Sequence, residues 1–161
     1  MRTGIGYDIH RLIPTLERSA IPLGGIEIPC FFKISAHSDG DVLLHALVDA
    51  CLGSLALGDI GQWYPDNQAE NKQRASIEFV KEVIAHITKM GWRVVQFDSI
   101  VLLEEPKLAG HSDAIRRSIA QLLKVELSNV SVKAKTMEGL GPVGEGRAVA
   151  AHAVVTLEAV A

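Results

Sequence analysis

The segment Ala36-His37-Ser38-Asp39-Gly40-Asp41-Val42-Leu43-Leu44-His45-Ala46-Leu47-Val48-Asp49 passes from polar residues around a glycine straight into an apolar run. Asp39 or Asp41 can cap a helix from about 41 to 56, and Gly58 lies where it should stop. Asp41, His45 and Asp49 fall four apart on one helical face, and Val, Leu, Ala and Cys fill the rest. Three ionisable groups on an otherwise apolar helix are costly to bury unless they pair or bind something.

Upstream, Ile5-Gly6-Tyr7-Asp8-Ile9-His10 reads as the end of a strand over 2–10. Side chains two apart on a strand share a face, so Asp8 and His10 converge. Taken alone, an Asp-x-His at a strand end is more often a solvated turn than a ligand pair. With His45 it makes a two-His, one-carboxylate set, the ligand count of a catalytic zinc with one open position.

Further along, Gly24-Gly25 separates Ile21-Pro22-Leu23 from Ile26-Glu27-Ile28 and suggests a small hairpin. Residues 58–67, with their Asp, Gly and aromatics, read as a working loop. Ile77, Val80, Ile84 and Ile87 mark a second helix that stops at Gly91. Residues 94–103 form a buried strand closed by Glu104-Glu105-Pro106-Lys107. A third helix starts at Ser112, with Ile115, Ile119 and Leu122 inward. Residues 130–136 alternate as a half-buried strand, and a last strand lies around 149–157. The expected fold is α+β, an α/β sandwich with one mixed, largely four-stranded sheet and helices packed on one face. The whole of 1–161 is expected to be a single catalytic domain.

Composition narrows the function. The chain is 48% hydrophobic and 22% charged with net charge −3, so it lacks the basic stripe of a nucleic-acid binder. Gly, Asp or Lys interrupts every run that could span a membrane, and Met1-Arg2 does not open a signal peptide. Cys30 and Cys51 form no CxxC, and a cytoplasmic protein without disulfides is expected. Gly139-Leu140-Gly141-Pro142-Val143-Gly144 matches the dinucleotide fingerprint. Only 17 residues follow Gly144, too few for the helix and acidic strand it needs, so a tight loop between strands is expected instead. His86, His111 and His152 have no partner at ligand spacing. No H-E-x-x-H, Walker loop or G-x-S-x-G elbow is present.

Gly6-Tyr7-Asp8-Ile9-His10, Ala36 to Ala46, Leu57-Gly58-Asp59-Ile60-Gly61, Tyr64-Pro65-Asp66, Pro106-Lys107 and Lys133-Ala134-Lys135-Thr136-x-Glu138 recur in one order. Together they resemble the 2-C-methyl-D-erythritol 2,4-cyclodiphosphate synthase family, from residue 1 to about 158. The resemblance implies a lyase of the non-mevalonate isoprenoid pathway, a homotrimer with its sites between subunits. Its substrate would be 4-diphosphocytidyl-2-C-methyl-D-erythritol 2-phosphate, whose 2-phosphate attacks the β-phosphorus and releases CMP.

By the same resemblance, Asp8, His10 and His45 would hold Zn²⁺ or another divalent transition metal. Asp49 would orient an imidazole, and Glu138 would help hold a second cation, Mg²⁺ or Mn²⁺. His37 and Thr136 would assist catalysis, and Ser38 would contact phosphate. Asp59, Gly61, Tyr64 and Asp66 would line the erythritol pocket. Leu103, Pro106, Lys107 and Leu108 would receive the cytosine, with Ala134 and Lys135 beside them. No nucleic-acid or membrane partner is implied, and the location would be cytoplasmic, or the plastid stroma after removal of a transit peptide. One departure stands out: Gly141-Pro142-Val143-Gly144-Glu145-Gly146-Arg147 replaces a Gly-Phe-x-Gly-Arg-Gly-Glu pattern found in many members. A metal-dependent phosphohydrolase and a non-catalytic trimeric binding module are the alternatives.

Overall fold

Alternating burial along the first strand shows how the sheet is used. In β1 (Arg2–Leu23), Gly4, Gly6 and Leu12 are buried, whereas Ile5, Tyr7 and Ile9 are exposed. One face therefore lies under helices and the other stays open. The computed structural model describes residues 1–160 apart from 66, 69, 70 and 72. After β1 come β2 (Ile26–Ser35), α1 (Val42–Ser54), α2 (Ile60–Trp63), α3 (Ser76–Lys89) and β3 (Trp92–Leu102). They are followed by α4 (Ser112–Leu123), a 3₁₀ turn at Leu127–Asn129, β4 (Val130–Lys135), α5 (Gly141–Gly144) and β5 (Ala148–Ala159).

The sheet has five strands in the order β2-β1-β5-β3-β4, not four. All pairs are antiparallel except β3 with β4. The additional strand is β2, which turns the expected small hairpin into a long one, and β1 continues past its expected end at residue 10 to Leu23. Pro14, Pro22 and Pro29 discourage a strand reading there, but beyond Arg11 β1 no longer pairs with β5. That part is a two-stranded arm, whose outer edges need no donor at a proline.

Gly4 and Gly6 let α1 lie directly on β1. A Cβ at Gly6 would stand 1.9 Å from the Ala46 carbonyl oxygen, and one at Gly4 would stand 2.0 Å from that of Ala50. Asp41, not Asp39, caps α1 by accepting the Leu44 N–H at 3.0 Å. The core fills between α1, α3, α4 and the helix face of the sheet, with Leu43, Leu47, Phe97, Ile115, Ile119 and Leu157 fully buried. Phe79 and Val83 are buried on α3, deeper than the predicted Ile77 and Ile84. The glycine segment forms the short α5 between β4 and β5. No helix among the described residues is long and apolar enough to cross a membrane.

Candidate metal centre and cleft

Asp8 and His10 leave the helix-facing side of β1, and His45 leaves α1 one turn after its cap. The close approach of α1 to β1 makes them meet. His45 Nδ1 stands 2.9 Å from Asp8 Oδ2 and 3.1 Å from His10 Nε2, and His10 Nε2 stands 3.1 Å from Asp8 Oδ2. One ligand atom from each of the three lies within 4.8 Å of the others. Burial pushes the Asp8 carboxyl upward, but the two imidazoles beside it outweigh that and hold it well below the usual carboxylate range. Two imidazole nitrogens and one carboxylate oxygen converging on a point suit a divalent metal ion with room for an exogenous ligand.

The three residues line a cleft of about 350 Å³, together with His37, Ser38, Gly61, Tyr64, Asn71 and Phe79 among others. Ser38 Oγ accepts the Gly40 N–H at 3.2 Å. Tyr64 stacks on Phe79 with centroids 4.3 Å apart, and the Arg74 guanidinium covers both rings. Asp59 caps α2 by accepting the Gln62 N–H at 2.9 Å and does not line the cleft. Asp66 lies outside the described residues. Asp49, expected to orient an imidazole, accepts the Ile60 N–H at 2.7 Å and so holds the start of α2.

A second group gathers where β3 and β4 end. Leu103 N–H donates to the Lys135 carbonyl at 3.0 Å, and Lys107 Nζ donates to the Glu104 carbonyl at 2.9 Å. The Glu104 carboxylate accepts the Met137 N–H, and Thr136 Oγ1 donates to Glu138 Oε1 at 2.8 Å. Leu103 and Leu108 are buried anchors for this segment. Pro106, Ala134 and Lys135 belong to the same group by position, and none of its members lines the cleft beside Asp8. Arg147 is paired with Glu145. Ser76, Asn71 and Phe79 had no motif to announce them. Only the fold, bringing the start of α3 against the 37–41 loop, places them at the site.

The YgbB family model matches residues 1–158 of this chain. A 2-C-methyl-D-erythritol 2,4-cyclodiphosphate synthase from Syntrophomonas wolfei is 49% identical over 158 residues, covering 98% of this chain and 99% of that protein. One from Gloeobacter violaceus is 47% identical, with 98% and 95% covered. Among solved structures, a CDP-bound form of 2C-methyl-D-erythritol-2,4-cyclodiphosphate synthase superposes with a TM-score of 0.89 at 34% identity, covering 98% of this chain and all of that one. The bifunctional IspDF of Campylobacter jejuni superposes with a TM-score of 0.91 at 35% identity over 98% of this chain, which spans 42% of that longer protein.

Proposed function

This chain belongs to the YgbB family, and from that premise we propose that it catalyses the 2-C-methyl-D-erythritol 2,4-cyclodiphosphate synthase reaction. In that reaction an oxygen of the substrate's 2-phosphate bonds to the β-phosphorus of its diphosphate. The bond from that phosphorus to the bridging oxygen breaks, and CMP leaves with the electron pair. The observation that carries the reading is the Asp8–His10–His45 cluster in the wall of a cleft.

The nucleophile is a phosphate that already carries charge, so the protein needs no activated serine or cysteine. It must instead position the chain of phosphates and offset their charge. Asp8, His10 and His45 would hold a divalent ion, which we assign as Zn²⁺. When bound, that ion supplies positive charge beside a substrate phosphate. The Ser38 hydroxyl, whose oxygen already accepts the Gly40 N–H, can donate its proton to a phosphate oxygen. His37 lines the same cleft and would steady the transferring phosphoryl group. Gly61, Tyr64 and Asp59 would hold the erythritol, a role the family resemblance also gives to Asp66.

Thr136, Glu138 and the 103–108 segment would serve the diphosphate, a second cation (Mg²⁺ or Mn²⁺) and the cytosine. Since they do not line the cleft of the same chain, we assign them to the neighbouring copy of a homotrimer. The open face of the sheet supports this assembly. Ile5 is 70% exposed, and Val154, its cross-strand partner, is 37% exposed. Tyr7 (48%) and Ile9 (42%) continue the stripe along β1, and such a patch calls for a partner. We place the enzyme in the cytoplasm.

His45→Ala should lower CMP release by more than about 100-fold and abolish zinc retention while leaving the circular-dichroism spectrum unchanged. Undiminished turnover of His45→Ala after chelation would overturn the assignment.

A further inference from the structure

His45 Nδ1 faces Asp8 and His10, so its Nε2 points the other way, between α1 and the start of α3. There Ser76 Oγ stands 2.8 Å from Nε2 and Ser38 Oγ stands 3.1 Å from it. Ser76 is the first residue of α3 and is completely buried. Its hydroxyl donates to Asp39 Oδ1, and its backbone N–H donates to Asp39 Oδ2 at 2.9 Å. Two further bonds clamp the segment before α3 onto the loop before α1. Gln73 N–H donates to the His37 carbonyl at 2.8 Å, and Asp39 N–H donates to the Arg74 carbonyl at 3.2 Å.

The direction of these bonds decides the state of the imidazole. A carboxylate only accepts, so the one hydroxyl proton of Ser76 goes to Asp39. Ser76 Oγ then offers only lone pairs to His45, and Nε2 must carry a ring proton. Without an ion, Nδ1 also faces a carboxylate, that of Asp8 at 2.9 Å, and donates to it; where a cation takes that place, the proton held on Nε2 leaves Nδ1 as the bare nitrogen that ligates a metal ion. We propose that Asp39 and Ser76 are positioning residues, which hold a proton on His45 Nε2 so that Nδ1 is the nitrogen offered to a cation at the point it shares with Asp8 and His10. This rests on the metal reading above.

Ser38 completes the division of labour. It can share the Nε2 proton as a second acceptor while its own proton stays available to the cleft. The buried serine serves the ring, and the cleft serine serves the ligand. Asp49 bonds the Ile60 N–H through Oδ1, whereas Ser76, 31 positions from His45, meets the ring itself.

Ser76→Ala removes the relay but leaves the backbone N–H bond to Asp39 and the helix start in place. Asp39→Asn keeps the shape and weakens the acceptor. Long-range ¹H–¹⁵N NMR on the metal-free proteins should show His45 Nε2 fully protonated in the wild type and only partly protonated in Ser76→Ala. Competition against a chromophoric chelator should show Zn²⁺ affinity falling by about 10- to 100-fold in Ser76→Ala, and by less in Asp39→Asn. A purely structural Ser76 would lower thermal stability but move neither readout. Unchanged protonation of Nε2 in Ser76→Ala, with Zn²⁺ affinity within about twofold of wild type, would overturn the proposal. A wild-type protein that takes up no Zn²⁺ would instead overturn the metal reading, and the NMR spectra would then decide the relay alone.

Discussion

Asp41 is only 1% exposed, yet its carboxylate accepts three backbone N–H groups: Gly24 at 2.8 Å, Gly25 at 2.7 Å and Leu44 at 3.0 Å. It caps α1 and pins the tip of the β1–β2 hairpin to the same spot. Asp41→Ala removes the cap and leaves buried donors unpaired, which should cost about 3–5 kcal/mol in urea unfolding. A loss below about 1 kcal/mol would contradict this role. Cys51, on the same helix, offers a pH test. Burial pushes its thiol from 9.0 up to about 12. Above pH 9 the unfolded chain releases this proton and the folded one does not, so stability falls as pH rises toward 12. Between pH 8 and 10 the wild type should lose about 1.4 kcal/mol more than Cys51→Ala. Equal losses would mean that the thiol is not held in its neutral form.

At the same scale, Asp8, His10 and His45 were legible in the sequence because each repeat is local: two residues on a strand, and one turn into a capped helix. Asp39 was legible only as an alternative cap. Its bond to Ser76 depends on a contact 37 residues away, and no local period encodes that. Helical spacing put Asp49 on the face of His45, and the resemblance gave it an imidazole to orient. Spacing gives a face but not the competitor on that face, which here is the Ile60 N–H.

Among the elements, α1 on β1 decides the geometry of the site. The sequence marked α1 clearly, but it could not show that Gly4 and Gly6 are the floor on which α1 rests. Glycines in a strand read as weak points until the backbone they admit is seen. Gly6→Ala should cost about 3 kcal/mol or more, because the new methyl meets the backbone oxygen of Ala46 rather than a movable side chain. Gly91→Ala is the control. Its φ of 79° strains a side chain, but nothing lies within 4 Å. It should cost about 1 kcal/mol and leave Zn²⁺ binding unchanged, whereas Gly6→Ala should weaken both. Similar costs for the two would remove the argument that the glycine floor sets the site. The β1–β2 arm was under-read for the opposite reason. Its prolines argue against a central strand, and the sequence does not show that pairing with β5 stops at Arg11.

For the whole molecule, the question is what covers the open face of the sheet and completes the cleft. The exposed stripe of Ile5, Tyr7, Ile9 and Val154 was not legible as such, because alternation names two faces without saying which one the helices take. If three copies bury it and the 103–108 and 136–138 segments reach a neighbour's cleft, defects on opposite sides should complement. His45→Ala and Thr136→Ala subunits, each inactive alone, should regain about a quarter of wild-type activity when refolded together at equal amounts. No recovery in mixed trimers would place both halves of the site in one chain. The most direct test of the account follows the phosphorus atoms. Wild-type protein with Zn²⁺, Mg²⁺ and the diphosphocytidyl substrate should convert the three substrate ³¹P resonances into CMP and a cyclic diphosphate, with no inorganic phosphate. Release of inorganic phosphate, or an unchanged spectrum, would contradict the cyclisation.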